Sequence, residues 1–273
     1  MQLDGKTAFI TGGAGGIGGG IAEALAEKGA KVILADIDLG LAQAQAEQFG
    51  KAGMAVALDV TSLASWAAAK EVAVARFGPI DILCNNAGIA TPYQPLLETS
   101  PDAFSKVMAV NVAGVYNGVI TFAQDMCDRG CGHIVNTSSM NGLIPHASFA
   151  AYSASKFAVL GLSDALRGEL APFGVGVSTL FPGLTRSRMS LASNAEAAAA
   201  DERVAAKIEA GMMEPVWLGR AVARAIEHDE PYIITHPGYL DMIDERHARI
   251  RAAHGDPAQP GYTASSGATR LAE

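Results

Sequence analysis

Short apolar runs alternate along the chain with longer stretches in which apolar residues recur every three or four positions. TAFIT, KVILAD, MAVALDV, IDILCNN, HIVNTSS, VGVSTLF and PYIIT are brief, partly β-branched and bounded by turn residues. Continuous apolar runs of that length belong to strands covered on both faces, and they predict seven strands. Between them, GGGIAEALAEKG, DLGLAQAQAEQFGK and SLASWAAAKEVAVARFG have helical length and helical spacing. Strand and helix in regular alternation need crossover connections, which are right-handed. The expected result is a parallel α/β sheet with helices on both faces.

Two regions break the rhythm. Residues 187–213, SRMSLASNAEAAAADERVAAKIEAGMM, are alanine-rich and follow the sixth strand, where a mobile cover over a site is expected. An ordinary surface helix pair is the plainer alternative. After Tyr239, LDMIDERHARIRAA has a helical pattern and HGDPAQPGYTASSGATRLAE is rich in Gly, Pro and Ser. The predicted organisation is therefore a single domain over residues 1–240, then a C-terminal helix and flexible tail over 241–273.

Composition narrows the class. Of 273 residues, 49% are hydrophobic and 18% charged, with no uninterrupted apolar run long enough to span a bilayer, so membrane insertion is not expected. A formal net charge of −8 argues against generic affinity for nucleic acid or anionic membrane, both of which require a basic surface. The opening MQLDGKTAFITGG has no basic leader or small-residue cleavage site, which fits cytoplasmic residence. Cys84, Cys127 and Cys131 are too few for a disulfide scaffold. Cys127, Cys131 and His133 in MCDRGCGH lack the further ligands that a metal site needs, so no metal is expected.

The candidate chemistry begins at TGGAGGIGGG, Thr11 to Gly20, between the first strand and the first helix. A tight glycine turn lets backbone N–H groups approach a pyrophosphate, and the helix N-terminus adds partial positive charge. Gly13, Gly15 and Gly18 fit G-x-G-x-x-G; Gly12, Gly16 and Gly18 fit T-G-x-x-x-G-x-G, with Ile17 inside it. Packing alone explains one or two glycines, not three more running into a helix at about 1 kcal/mol each. Asp36 ends the second strand in VILADID. A carboxylate there accepts both adenosine ribose hydroxyls and repels a 2′-phosphate, and no Arg or Lys in the turn would neutralise one. These features predict a Rossmann-like doubly wound sheet that binds NAD in preference to NADP.

In YSASK, Tyr152 and Lys156 stand four residues apart, hence on one face of a helix. A tyrosine ionises near pH 10, and a neighbouring cation favours its phenolate. Moving it to near 7 requires roughly 4 kcal/mol of differential stabilisation.

With TGGAGGIG, Asp59 after the third strand, NNAG at 85–88, VN at 110–111, SS at 138–139, YSASK, and PG at 182–183 in that order, the chain resembles the short-chain dehydrogenase/reductases from about residue 3 to residue 240. The resemblance implies Tyr152 as the proton-transfer residue and Lys156 as the lysine that contacts the nicotinamide ribose and lowers the tyrosine's pKa. It implies Ser139 as donor to the substrate oxygen, and Asn111 as the residue that bends its helix and holds a water leading to the lysine. Ser138 is expected to bond backbone at the strand end. Asp59 and Val60 are implied beside the adenine, and Asn86, Ala87 and Gly88 beside the cofactor ribose, although Asn86 could chiefly tie strands together. FPGLTRS resembles the family's PG-x-x-x-T segment, with Ser187 where threonine is usual and Thr185 where an aliphatic residue is usual. Both are candidate contacts to the nicotinamide carboxamide or pyrophosphate, through side chain or backbone.

The implied activity is NAD-dependent interconversion of a secondary alcohol and a ketone. A redox-neutral, epimerase-like enzyme and a non-catalytic NAD-binding scaffold are the alternatives. Met140, Leu143, Ile144 and Phe149 before Tyr152, with Met189, Met212 and Met213 from the cover, predict a bulky apolar small-molecule substrate. His146 could read a polar substituent or merely face water. The THPGY stretch and LRGELAPFGVGVSTLFPG resemble bacterial members that oxidise hydroxyls on bulky aromatic or alicyclic compounds. The resemblance also implies a homodimer or homotetramer built from helices spanning roughly 102–128 and 152–172.

Overall fold

The computed structural model describes residues 1–253, apart from the side chains at 196–198 and 200. The flexible tail expected at the carboxyl end lies outside those residues. In chain order the elements are β1 (Thr7–Thr11), α1 (Gly16–Glu27), β2 (Lys31–Asp36), α2 (Leu39–Ala46), β3 (Gly53–Ala57), α3 (Leu63–Phe77), β4 (Ile82–Asn85), α4 (Pro101–Met108), α5 (Gly114–Arg129), β5 (Gly132–Thr137), α6 (Ala150–Leu170), β6 (Val175–Phe181), α7 (Arg188–Ala200), α8 (Glu202–Gly211), α9 (Pro215–His228), β7 (Tyr232–Ile234) and α10 (Leu240–Ala252). The seven strands form one parallel sheet in the order β3-β2-β1-β4-β5-β6-β7. This is the Rossmann-like doubly wound architecture. Its strand order reverses between β1 and β4, where the outgoing loops part and leave a crevice at the carboxyl edge.

The period of two along each strand divides the core. Ala8, Ile10, Val32 and Leu34 pack with Ile21 and Leu25 of α1 and Val222 and Ile226 of α9. The intervening Phe9, Ile33 and Ala35 pack with Trp66 of α3 and Phe122 of α5. Strands apolar at every position, as read from the sequence, are what such double coverage demands. Phe9, Trp66 and Phe122 meet ring to ring at centroid distances of 5.0 to 6.1 Å. The indole N–H of Trp66 donates to Val60 O at 3.0 Å, so this buried ring leaves no polar atom stranded.

All seven expected strands are present, but two end early. MAVALDV stops as a strand at Ala57, opposite the last residue of β2. HIVNTSS stops at Thr137, after which the Ser138 hydroxyl turns to α6. Asp59, Val60, Ser138 and Ser139 therefore lie on loops at the carboxyl edge. The long helix expected over 102–128 is two α-helices joined by a π turn, Ala109–Ala113. By length and composition Pro101–Arg129 is apolar enough to cross a membrane, yet half of its most apolar window is buried inside the fold.

Residues 187–213 form the pair α7 and α8. Their two ends are clasped by a parallel bridge between Thr185 and Met213 and by Arg186, which pairs with Glu209 and Glu214. The helix expected after Tyr239 is α10, which packs on α6 with the Arg246 guanidinium 4.9 Å from the Phe157 ring centroid.

Candidate active site

At the end of β1 the chain turns through glycine into α1. Gly15, the N-cap, has φ 138°, outside the range an L side chain adopts easily, and no side chain caps the helix. The first-turn N–H groups are thus left for a ligand. A Cβ on Gly18 would overlap Gly12 O, so glycine is what lets α1 sit down on the turn. The Asp36 carboxylate accepts from Ala14 N at 3.1 Å and Asp38 N at 3.0 Å, which fixes it at the tip of β2.

Thr11 Oγ1 accepts from both Asn86 N and Ala87 N at 2.9 Å, while the Asn86 amide donates to Thr11 O at 3.1 Å. Asn86 therefore ties the turn after β4 to β1. The Asp59 carboxylate accepts from Thr61 N at 2.9 Å and Thr61 Oγ1 at 2.7 Å, bonds that hold it below the usual carboxylate range.

These loops enclose a cavity of about 900 Å³. Gly12, Gly16, Ile17, Asp36, Asp59 and Val60 line it, as do Asn86, Ala87, Gly88, Thr185 and Ser187, together with Ser139, Tyr152 and Lys156. Gly18 and Asn111 do not reach the lining. Gly18 is buried beneath the turn, and Asn111 is fully buried in the π turn.

Tyr152 and Lys156 face the cavity from α6, 9% and 3% exposed. The ammonium donates to Thr137 O at 2.8 Å and stands 5.5 Å from the centroid of the Tyr152 ring. Burial pushes the phenol up to about 12, opposed by a hydrogen bond from Ser139, and pushes the ammonium down to about 8. In the protein alone the phenol pKa is therefore raised; the lowering expected from the sequence belongs to Lys156 acting together with the positive nicotinamide of the oxidised cofactor. Desolvation of the phenolate outweighs the Ser139 hydrogen bond, while the Lys156 ammonium spends its own bond on a backbone carbonyl.

Ser139 accepts from Asn141 N at 3.1 Å and makes a long 3.5 Å bond to Pro182 O. Ser138 instead donates to Lys156 O at 2.7 Å, the backbone bond expected for it. Asn111 accepts from Ile89 N at 2.8 Å and donates to Ile89 O at 2.9 Å and Ser155 Oγ at 3.0 Å. A Cβ on Gly88 would stand 3.3 Å from Asn111 Oδ1 and 3.5 Å from Lys156 Nζ, so both polar groups flank this glycine.

The hydroxyls of Thr185 and Ser187 are already engaged. Thr185 donates to Gly183 O at 3.2 Å, and Ser187 caps α7 by accepting from Ser190 N at 3.0 Å. A Cβ on Gly16 would lie 2.9 Å from Ser187 Cβ, so the start of α7 faces the glycine turn.

Of the residues expected to meet the substrate, Met140, Ile144, His146, Phe149 and Met189 line the cavity. Leu143, Met212 and Met213 do not. Met212 lines a separate space between α7 and α8, and Met213 is held in the bridge to Thr185. Sequence reasoning missed Tyr93, which stacks on Phe149 at 4.4 Å, Phe149 in turn stacking on Tyr152 at 4.6 Å. It also missed Tyr239 and Met242, which line the outer wall. The THPGY stretch signalled Tyr239; nothing local marked Tyr93. Among the described residues no group of three His, Cys, Asp or Glu is placed to hold a metal, and His133 points instead to Ser178.

A parallel sheet with a glycine turn at its switch point, an uncapped helix N-terminus and an acidic residue ending β2 defines a dinucleotide-binding fold. The chain belongs to the short-chain dehydrogenase/reductase family, whose members bind a nicotinamide cofactor: the short chain dehydrogenase profile matches residues 6–198. It is 36% identical over 189 residues to the 3-alpha-(or 20-beta)-hydroxysteroid dehydrogenase of Mycobacterium bovis, covering 69% of this chain and 72% of that one. To a C alpha-dehydrogenase of a Sphingobium species it is 32% identical over 259 residues, 90% of this chain and 85% of the other. A short-chain dehydrogenase/reductase from Burkholderia phymatum, solved in complex with NAD, superposes with a TM-score of 0.81 at 32% identity, over 95% of this chain and 99% of that chain.

Proposed function

We propose that this protein is an NAD-dependent dehydrogenase that interconverts a secondary alcohol and its ketone, with a bulky apolar, aromatic or alicyclic substrate. The observation that carries the reading is that Ser139, Tyr152 and Lys156 all line the one cavity, with Asn111 and Lys156 flanking Gly88. NAD supplies the acceptor for the hydride that leaves the alcohol carbon. Tyr152 removes the hydroxyl proton, and Ser139 Oγ donates to the substrate oxygen as negative charge develops there. Lys156 provides the cation on the tyrosine's ring face, and Asn111 offers polar support behind it for proton exit.

The uncapped start of α1, with Gly12, Gly16 and Ile17, suits a pyrophosphate, and Gly18 serves by packing. Asp36 is fixed where ribose hydroxyls would donate to it and a 2′-phosphate would meet negative charge, which favours NAD. Asp59 and Val60 are assigned to the adenine, and Asn86, Ala87 and Gly88 to the cofactor ribose. Thr185 and Ser187 are assigned to the carboxamide or pyrophosphate through backbone, since their hydroxyls are spent.

The substrate class rests on the rings of Tyr93, Phe149 and Tyr152 with Met140, Ile144, Met189 and Met242 around the same space. A relative named as a 3-alpha-(or 20-beta)-hydroxysteroid dehydrogenase agrees with it. The reading includes a homodimer or homotetramer, supported by the exposed Phe104, Tyr116 and Ile120 along α4 and α5. A panel of secondary alcohols of graded bulk, followed by NADH fluorescence, tests the substrate class. Turnover should rise with an aryl or alicyclic group, and turnover confined to short aliphatic alcohols would refute it.

A further inference from the structure

The imidazole of His236, on the loop after β7, bonds twice to the turn that follows β6. Its Nδ1 accepts from Gly183 N at 3.0 Å, and its Nε2 lies 3.2 Å from Leu184 O. Thr235 Oγ1 also reaches Nδ1, at 2.9 Å. A backbone N–H on Nδ1 and a carbonyl on Nε2 can both be satisfied only by the neutral ring with its proton on Nε2. Partial burial favours that neutral form. A Cβ on Gly183 would lie 2.6 Å from His236 Cγ, so the ring fits against this turn because the residue is glycine.

The same turn touches the site on three sides. Pro182 O accepts from Met140 N at 3.0 Å and takes the long bond from Ser139 Oγ. Leu184 O accepts from Met213 N at 3.0 Å, Arg186 N donates to Met213 O at 3.0 Å, and Thr185 lines the cavity. On its outer side the His236 ring meets Tyr239 edge to face at 6.5 Å, and Tyr239 lines the cavity too.

We infer that His236 is a positioning residue: its ring staples the 182–185 turn, and through that turn it sets Ser139, Thr185 and the clasped base of α7 and α8. Two bonds to one turn fix both its height and its tilt, which one bond would not. The consequence for rate rests on the dehydrogenase reading above, but the staple itself does not.

The test has two arms on the whole chain. Hydrogen exchange of peptides covering 182–190 and 208–214 is compared in wild type, His236→Phe and His236→Asn. Phenylalanine keeps a ring and loses both bonds; asparagine keeps an acceptor for Gly183 N–H. Exchange should rise in His236→Phe and fall back toward wild type in His236→Asn, while peptides from β1, β4 and β5 stay unchanged. Alcohol oxidation should show kcat lowered about 10- to 100-fold in His236→Phe, the scale of a misplaced reacting group, with KM for the alcohol moved less than about threefold and kcat partly recovered in His236→Asn. Unchanged exchange in His236→Phe, or kinetics within about twofold of wild type, would overturn the inference. A loss of active-site concentration alone, with kcat per intact site unchanged, would also overturn it. If wild type oxidises no alcohol, the function reading fails and exchange alone decides the staple.

Discussion

Replacing Lys156 by methionine tests how the phenol of Tyr152 becomes a base. The protein by itself holds that phenol at about 12, so reaching the neutral range requires some five pKa units, or about 7 kcal/mol at 1.36 kcal/mol per unit. An ammonium 5.5 Å from the ring centroid contributes 332/(20 × 5.5), about 3 kcal/mol, at the effective dielectric that fits buried sites. The value of about 12 is reached with Lys156 and the Ser139 bond already in place, so the five units fall to the cationic nicotinamide of bound NAD, and the ammonium's share is the roughly two units by which its loss would raise the phenol further. Methionine keeps the length of the chain and removes the charge. The assay is kcat/KM for alcohol oxidation against pH, with NAD affinity measured separately by fluorescence. The acid limb should move up by about two units, and activity at pH 7 should fall about 100-fold with recovery as pH rises. Equal loss at every pH would refute the electrostatic argument and leave Lys156 a binding role only.

Other perturbations probe separate parts of the molecule. Asp36→Ala removes both the ribose acceptor and the partner of Ala14 N–H; the NAD-over-NADP ratio of kcat/KM should drop about 10- to 100-fold, and an unchanged ratio would contradict the assignment. Tyr93→Ala strips the outer ring of the stack and should lower kcat/KM on aryl alcohols roughly tenfold with little change on short aliphatic ones, which a competition assay reads directly. His133 is buried against Ser178 and held down to about 4, below its unfolded value near 6.5. The unfolded chain therefore binds more protons between those values, and stability should fall as pH drops through that window, by about 3 kcal/mol in all. Urea melts of wild type and His133→Gln check it: the variant should lose that slope, and equal slopes would count against the shift.

Much of the fold is legible because burial on both faces writes itself locally. ILCN and VGVSTLF can be read as strands from their own letters, and an i, i+4 pair such as Tyr152 and Lys156 needs only a helix to share a face. The ends of β3 and β5 were less legible, since they depend on where neighbouring strands stop. Residues 53–58 are apolar or small past the point where pairing ceases, so nothing next to Ala57 in MAVALDV marks it as last.

What the sequence concealed are contacts between distant segments. Tyr93 joins the candidate site by stacking on Phe149, more than fifty residues away along the chain, and His236 by bonds to Gly183 and Leu184. The depth at which the Tyr152 phenol is buried was hidden for the same reason. Spacing places a lysine on the right face of α6, but only three-dimensional packing reveals how deeply the phenol is buried and that Thr137 O takes the ammonium's bond. Methionine content likewise pointed to Met212 and Met213, yet the Thr185–Met213 bridge turns them away from the cavity.

The central claim is that Tyr152 is the proton acceptor in an NAD-linked alcohol oxidation. The most direct test is NADH formation from a bulky secondary alcohol by wild type and Tyr152→Phe, with NAD binding to both measured by fluorescence. The account predicts intact NAD binding and a fall in kcat of at least about 100-fold in the variant, the scale of a lost general base. Turnover by Tyr152→Phe close to that of wild type would contradict it.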